Sequence, residues 1–312
     1  MNYRSILIAT AQIIGLFVSG FVIPLLGQVL ALFTPVPLIL IYVRNGRNEG
    51  LTTLVASSLI MAALGGWLSA AILSLSFGLM AVGISEGMRR NLKPEQTSLL
   101  GGLLPIAAVS AIVIAYLAQV GKNPIMAVDA YLRESLVAAA KTYTSMGLTE
   151  MASMVSSVPD AYLYYLARLI PGILIATSVM QAACCFGIAR ALLLRKPGTD
   201  QALGQSSLAA WHAPDSWVWG LIAALALIVV PQVTAKLVGW NLAILFAVVY
   251  LAQGSAIVDH YMRKASIKAF GRGLILALIL ALPSLVFVIA LGIVDIWADV
   301  RKVRMPAQTT SG

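Results

Sequence analysis

The chain has 312 residues, of which 60% are hydrophobic and 11% are charged, and its mean hydropathy is +0.92. A soluble globular domain carries roughly 25% charged residues, so the composition excludes that class and indicates an integral protein surrounded by membrane lipid. The net charge of +9 does not indicate a nucleic-acid partner, because the basic residues lie between the apolar segments and form no single patch.

The apolar segments predict a polytopic helix bundle. About 20 apolar residues of helix cross a hydrocarbon core roughly 30 Å thick, and the third of the nine candidates is short for this task. The candidates are 6–23, 25–43, 51–64, 67–85, 99–119, 161–189, 217–238, 240–258 and 273–298. We therefore expect an all-α transmembrane fold of eight or nine spans.

These spans form one predicted membrane domain over residues 1–304. Its first part, 1–190, holds six helices, and its second part, 191–304, adds three. The remaining residues, 305–312, are polar and are expected to form a disordered tail.

The distribution of Lys and Arg predicts the orientation of the chain in a bacterial inner membrane. If the amino terminus is cytoplasmic, most Lys and Arg residues fall in loops on the cytoplasmic side, as the positive-inside rule requires. Nine crossings would then place the final basic run, RKVR at 301–304, on the opposite side. Either one early segment re-enters the membrane, or these terminal charges do not control the topology.

A long polar connection, about 121–160, separates the fifth and sixth spans. Its apolar residues recur at helical spacing, which predicts one amphipathic helix on the outer membrane surface. We interpret it as a structural cap or, alternatively, as a docking element. In the sixth span, Arg168 either snorkels outward or has a functional role.

The first span carries small residues at four-residue spacing, namely Ala11, Gly15 and Ser19. A stripe of this kind lets another helix approach closely. The partner is either a helix of the same chain or a helix of another membrane protein.

The second span contains the sequence TPVP, with Pro35 and Pro37 two residues apart. Neither proline can donate a backbone hydrogen bond, so the helix must be interrupted. Freed carbonyls are costly in lipid unless they line a cavity inside the protein. The pattern predicts a broken-helix ligand site, as in many transporters, or a simple kink.

Polar residues within the spans are mostly glutamines. They are Gln12, Gln28, Gln119, Gln181, Gln232 and Gln253. Because charged residues are nearly absent near the membrane midplane, the spans favour a neutral or weakly polar ligand, or none. We take Gln181 and Gln253 as candidate ligand-binding residues.

The last span ends in LGIVDIWADVRKVR. In one interpretation Trp297 anchors the helix at the headgroups, and Asp295 and Asp299 are neutralised by nearby basic residues. In the other, Asp295 reaches into the bundle and fixes a ligand or the broken second helix.

Enzymatic chemistry has little support in the sequence. GISEG at 83–87 matches the G-x-S-x-G pattern, and His260 ends a span on the same predicted side as Ser85. The strand-turn-helix context of that motif is missing, however, and Gly83 with Gly87 is also a packing pair. Two separated histidines predict no metal site, and no nucleotide-binding loop is present. We expect a protein without cofactor, with an intramembrane serine hydrolase as a remote alternative.

Several stretches resemble the YybS-like family of uncharacterised bacterial membrane proteins: PLLGQVLALFTPVPLILIYVRNG, WHAPDSWVWG, YLAQGSAIVDHY and LGIVDIWADVRK. The first six spans are also similar to the S components of energy-coupling-factor transporters. That resemblance implies a substrate-binding role and a first helix that docks a coupling subunit through Ala11, Gly15 and Ser19.

Together these observations predict a non-enzymatic transport or transport-accessory subunit that binds a small neutral or weakly polar ligand. The predicted ligand-binding residues are Pro35, Pro37, Gln181, Gln253 and Asp295. A membrane protein partner or a homo-oligomer is expected, and a structural or scaffolding protein without ligand is the alternative.

Overall fold

The computed structural model describes residues 3–24, 26–194, 212–268, 271–273, 275–276 and 285–301. This part of the chain is helical and contains no strand. Its helices are α1 (Tyr3–Val22), α2 (Leu26–Ala31), α3 (Pro35–Asn45), α4 (Arg47–Ile72), α5 (Leu79–Arg89), α6 (Pro94–Gln119), α7 (Pro124–Ser145), α8 (Thr149–Ser156), α9 (Asp160–Leu193), α10 (Trp217–Val229), α11 (Val233–Lys264) and α12 (Leu285–Ala298), with a π-helical segment, Leu73–Gly78, between α4 and α5. The predicted tail, 305–312, lies outside the described residues.

Six described segments are long and apolar enough to cross a membrane. They are Tyr3–Val22, Leu26–Asn45, Arg47–Arg89, Pro94–Gln119, Asp160–Leu193 and Val233–Lys264. Two further apolar helices, α10 and α12, have 13 and 14 residues. At 1.5 Å per residue, each of these two is roughly 20 Å long and thus shorter than the hydrocarbon core.

The segment Arg47–Arg89 is a helical hairpin. Its 43 residues would extend about 65 Å as one straight helix, twice the membrane core. Gly66 interrupts it with φ 80° and ψ 171°, a conformation that a residue with a Cβ rarely adopts. The hydroxyls of Ser58 and Ser74, each eight positions from Gly66, are hydrogen-bonded at 2.8 Å. The two arms therefore pack antiparallel, and the turn lies where the sequence separates the predicted third and fourth spans.

Small residues bring α5 and α6 into close contact. A Cβ on Gly83 would lie 3.0 Å from the Cα of Gly101, and one on Gly87 would lie 2.9 Å from the side chain of Thr97. The GISEG motif is thus a packing surface, with Ser85 fully buried and donating to the carbonyl of Ala81 in its own helix.

Apolar side chains fill the interior of the six-span part. One cluster joins α1, α3, α5 and α9, and its least exposed members are Ile39, Ala81, Ile84, Ala182, Cys185 and Ala189. The centre of this part is consequently occupied by protein side chains.

The connection between α6 and α9 contains two helices, α7 and α8, where the sequence predicts one. No residue of α7 is buried, and α7 contacts α8 and α9. Its predicted place on the membrane surface stays a prediction.

Candidate functional site

The predicted break in the second span lies between α2 and α3. Pro35 and Pro37 are both buried at the start of α3. The N–H of Val36 donates to the carbonyl of Phe33. In a regular α-helix it would donate to the carbonyl of Leu32, which is therefore left without its helical donor. The Gln181 amide Nε2 donates to that carbonyl at 2.8 Å. The structure thus brings Gln181 to the broken helix, where it satisfies a backbone acceptor that lipid would leave unpaired.

A second helix interruption, at Pro171 in α9, has a similar partner. Asn241 of α11 accepts from the N–H of Gly172 at 2.8 Å and donates to the carbonyl of Arg168 at 3.0 Å. In a regular helix the N–H of Gly172 would donate to the carbonyl of Arg168. Here the amide of Asn241 bonds to both groups instead. A Cβ on Gly172 would lie 2.6 Å from the Asn241 oxygen, so only glycine admits this contact.

Asn241 is not among the residues that the sequence indicated as candidates. An asparagine within a span and a proline within another were the available signals, but sequence alone does not show which spans are neighbours.

The closing motif forms a buried polar cluster. Asp295 is 2% exposed, Gln253 is fully buried and Arg301 is 7% exposed. One carboxylate oxygen of Asp295 accepts from Arg301 at 2.9 Å and from Gln253 at 3.1 Å, and the other accepts from the N–H of Val300 at 2.9 Å. The Gln253 oxygen accepts from the N–H of Ala213 at 3.1 Å. The cluster thus joins α12, the turn after it, α11 and the residues before α10.

Arg301 neutralises Asp295, as the anchor interpretation expects, but at 2% exposure the carboxylate lies inside the helix bundle and not among lipid headgroups. Trp297, in contrast, is 69% exposed, as an anchoring side chain requires. The structure brings Gln253 and Asp295 together. In the described part of the chain, no hydrogen bond joins either of them to Gln181, which bonds to Leu32. Both carboxylate oxygens of Asp295 already accept from protein donors, and the ligand-binding role of these residues stays a prediction.

The chain folds back after α12 because Asp299 adopts a positive φ of 36°. This turn places the carbonyl of Val300 within 3.0 Å of the Tyr261 hydroxyl, which donates to it. Two residues earlier in α11, Asp259 pairs with Arg272 at 3.5 Å. Residues 272 and 300 therefore both lie near the same end of α11.

The predicted partner stripe on α1 is largely open. Ala11 is exposed, and a Cβ on Gly15 would meet nothing within 4 Å. Only Ser19, which is partly buried, is engaged within the chain, and it donates to Leu16 and, more weakly, to Gly27. Ala11 and Gly15 are therefore open in the described part of the chain, and docking of another protein's helix on them stays a prediction. Gln12, on the same face, is also exposed.

A family model described as "Predicted membrane protein (DUF2232)" matches residues 11–296. No curated protein and no solved structure matches the chain. The match covers most of the chain, whereas the resemblances to the YybS-like family and to S components stay predictions.

Proposed function

We propose that this chain, which belongs to the DUF2232 family of predicted membrane proteins, is a non-enzymatic accessory subunit of the bacterial inner membrane. It docks another transmembrane helix through the outward face of α1. The observation that carries this proposal is the open face formed by Ala11, Gln12 and Gly15.

Membrane physics supports a partner at this face. Lipid tails are as apolar as leucine, so helices associate by close packing and by hydrogen bonds between polar side chains. Ala11 and Gly15 permit close backbone approach, while Gln12 brings an amide with donors and an acceptor. Gln12 lies near the middle of the 20-residue helix, where lipid supplies no hydrogen-bond partner. A second helix relieves that cost.

Binding of a small neutral or weakly polar ligand is the second candidate, favoured by the break at Pro35 and Pro37. It is the weaker one, because the freed carbonyl of Leu32 is taken by Gln181 and Asp295 is taken by Arg301. Mass spectrometry of small molecules retained by the purified protein tests it, and a retained compound lost in Gln181→Leu would favour it.

The proposed topology has eight crossings and a cytoplasmic amino terminus. The crossings are α1, the α2–α3 pair, the two arms of Arg47–Arg89, α6, α9, α10 together with residues 212–216 before it, and α11. We place residues 272 and 300 on the same side of the membrane, which is supported by the contacts of Arg272 and Val300 near one end of α11. The terminal basic residues then lie on the cytoplasmic side, in agreement with charge bias.

The docking role is tested by photo-crosslinking in native membranes from position 11, with a photoreactive amino acid replacing Ala11. We expect an adduct that disappears in Gly15→Leu while the melting temperature is unchanged, because a Cβ at Gly15 meets no atom within 4 Å in the part of the chain that the structure describes. An adduct at twice the chain mass identifies a second copy as the partner, and any other defined mass identifies a different protein.

Ala111→Leu is the matched control, since Ala111 is an exposed small residue of α6, and it should leave the adduct intact. The proposal fails if position 11 gives no adduct, or if Gly15→Leu leaves the adduct unchanged.

A further inference from the structure

A cleft of about 540 Å³ opens between α7 and the first turns of α9. Its volume lies within the range of small-ligand sites. The polar side chains in its wall are Asp129, Arg133, Asp160 and Arg168, together with the rings of Tyr164 and Tyr165. Two arginines and two aspartates give the wall no net charge, so the arrangement of these charges determines what it can bind.

The outer part of the cleft is acidic. Arg133 donates to Asp129 at 3.2 Å and also to Asp160, so one cation faces two carboxylates. These hydrogen bonds, above all the one that Arg133 donates to Asp160, raise the pKa of Arg133 above its ordinary value, and the guanidinium stays charged. Each carboxylate accepts these bonds through one oxygen and has a second oxygen as an acceptor.

The inner part of the cleft is basic. The Arg168 guanidinium stacks over the Tyr164 ring at 3.4 Å from its centroid and donates to the Tyr164 carbonyl at 2.9 Å. In the described part of the chain, no carboxylate forms a salt bridge with Arg168. A guanidinium has five N–H donors, so this planar cation keeps donors suited to an oxyanion such as phosphate.

The order of the two parts follows from their places along α9. Asp160 begins the helix, and the backbone of Arg168 lies eight residues further, about 12 Å along the helix axis. The Arg168 guanidinium reaches back to the Tyr164 carbonyl, which still places it about one helical turn deeper than Asp160. Tyr164 and Tyr165 lie between them, 40% and 42% exposed, as in an aromatic belt at a membrane interface.

We propose that this cleft binds the headgroup of an ethanolamine phospholipid, with the phosphate on Arg168 and the ammonium on Asp129 and Asp160. From the water inward, such a lipid presents ammonium, phosphate and acyl chains, and the cleft presents carboxylates, guanidinium and the apolar surface of α9. Soluble phosphoethanolamine, a free zwitterion, has the same charged groups. Its binding would not require the guanidinium to lie deeper in the membrane than the carboxylates, whereas binding of the lipid does.

The test is native mass spectrometry of the purified chain with phosphatidylethanolamine, phosphatidylcholine or phosphatidylglycerol added at equal concentration. We expect phosphatidylethanolamine to bind best, because the choline group has no N–H donor and the glycerol group has no cation. Arg168→Gln should weaken its binding about tenfold, as expected for lost charge-assisted hydrogen bonds, while Arg168→Lys should restore part of it.

Lys141→Gln is the matched control, because Lys141 is an exposed cation of α7 outside the cleft, and it should bind the lipid normally. Asp129→Asn should lower the preference for ethanolamine over choline without altering the melting temperature, which keeps the test open if Arg168→Gln fails to fold. Equal binding of the three lipids would overturn the proposal. Displacement of the lipid by soluble phosphoethanolamine at similar concentration would overturn the lipid assignment in favour of the free zwitterion.

Discussion

At the residue scale, Asp295 shows how one carboxylate can be accommodated among apolar helices. Its burial at 2% exposure is costly for a charge unless that charge is paired and fully hydrogen-bonded. Arg301, Gln253 and the Val300 N–H together satisfy both oxygens. The cluster is thus a structural joint between the last helix and α11, and its stability depends on every member.

We expect Asp295→Asn to destabilise the protein by about 3 kcal/mol, because it leaves the buried Arg301 guanidinium without its counter-charge. Thermal unfolding in detergent measures this loss. Glu134→Gln is the control, since Glu134 is an exposed carboxylate of α7, and it should change stability little.

The double variant Asp295→Leu with Arg301→Met separates charge burial from packing. Removing both partners of a buried ion pair costs less than removing one, so the double variant should melt above Asp295→Asn. If Asp295→Asn melts like the native protein, the buried pair contributes nothing to stability.

At the element scale, glycines determine which helices touch. A Cβ on Gly254 would lie 2.0 Å from the Val288 carbonyl oxygen, and one on Gly292 would lie 2.0 Å from the Tyr250 carbonyl oxygen. These contacts involve backbone atoms, which cannot rotate away, so α11 and α12 cross at a distance that only glycine allows. Gly15 of α1, with nothing within 4 Å, is the opposite case.

Gly292→Ala should therefore force α12 away from α11 and destabilise the protein by roughly 1 to 3 kcal/mol or more through overpacking. Gly15→Ala, the same change in another apolar helix, should leave the melting temperature unchanged or slightly higher. Differential scanning fluorimetry on the two purified variants makes the comparison. Equal melting temperatures would mean that α11 and α12 do not cross as described.

At the scale of the whole molecule, charges and interhelical contacts near one end of α11 support the proposed topology of eight crossings. Arg263 and Lys264 lie in the last turn of α11. Arg272 lies near this end because it pairs with Asp259. Arg301 lies near it because the adjacent Val300 accepts a hydrogen bond from Tyr261. A nine-crossing chain would separate these groups by the full membrane thickness.

Cysteine accessibility in intact cells tests this arrangement in a variant without the two native cysteines. Single cysteines at Gln96, at Ser266 and after the final residue should all resist a membrane-impermeant maleimide added from outside, whereas one at Ser145 should react. We expect all four to react after the membrane is permeabilised. Labelling of the carboxy-terminal cysteine in intact cells would contradict the placement of residues 272 and 300 on the same, cytoplasmic side of the membrane.

The sequence by itself determined the class of protein and two of the places where helices break, but not the break at Pro171 or its partner Asn241. Apolar length, proline and glycine are local properties of the chain, so the interruption at Pro35 and Pro37 and the division near Gly66 were predictable from residues alone. The polar residues Gln181 and Asp295 were identifiable because such groups are rare in spans.

Only the tertiary structure decided what those residues touch. Gln181 reaches a carbonyl 149 positions away, and Asn241 reaches the α9 break 69 positions away. Which helices are neighbours depends on close packing summed over the whole bundle. Hydropathy does not distinguish a helix face that contacts lipid from one that contacts protein, because lipid tails are as apolar as leucine. The small stripe on α1 was therefore visible in the sequence, while its outward direction was determined by the fold.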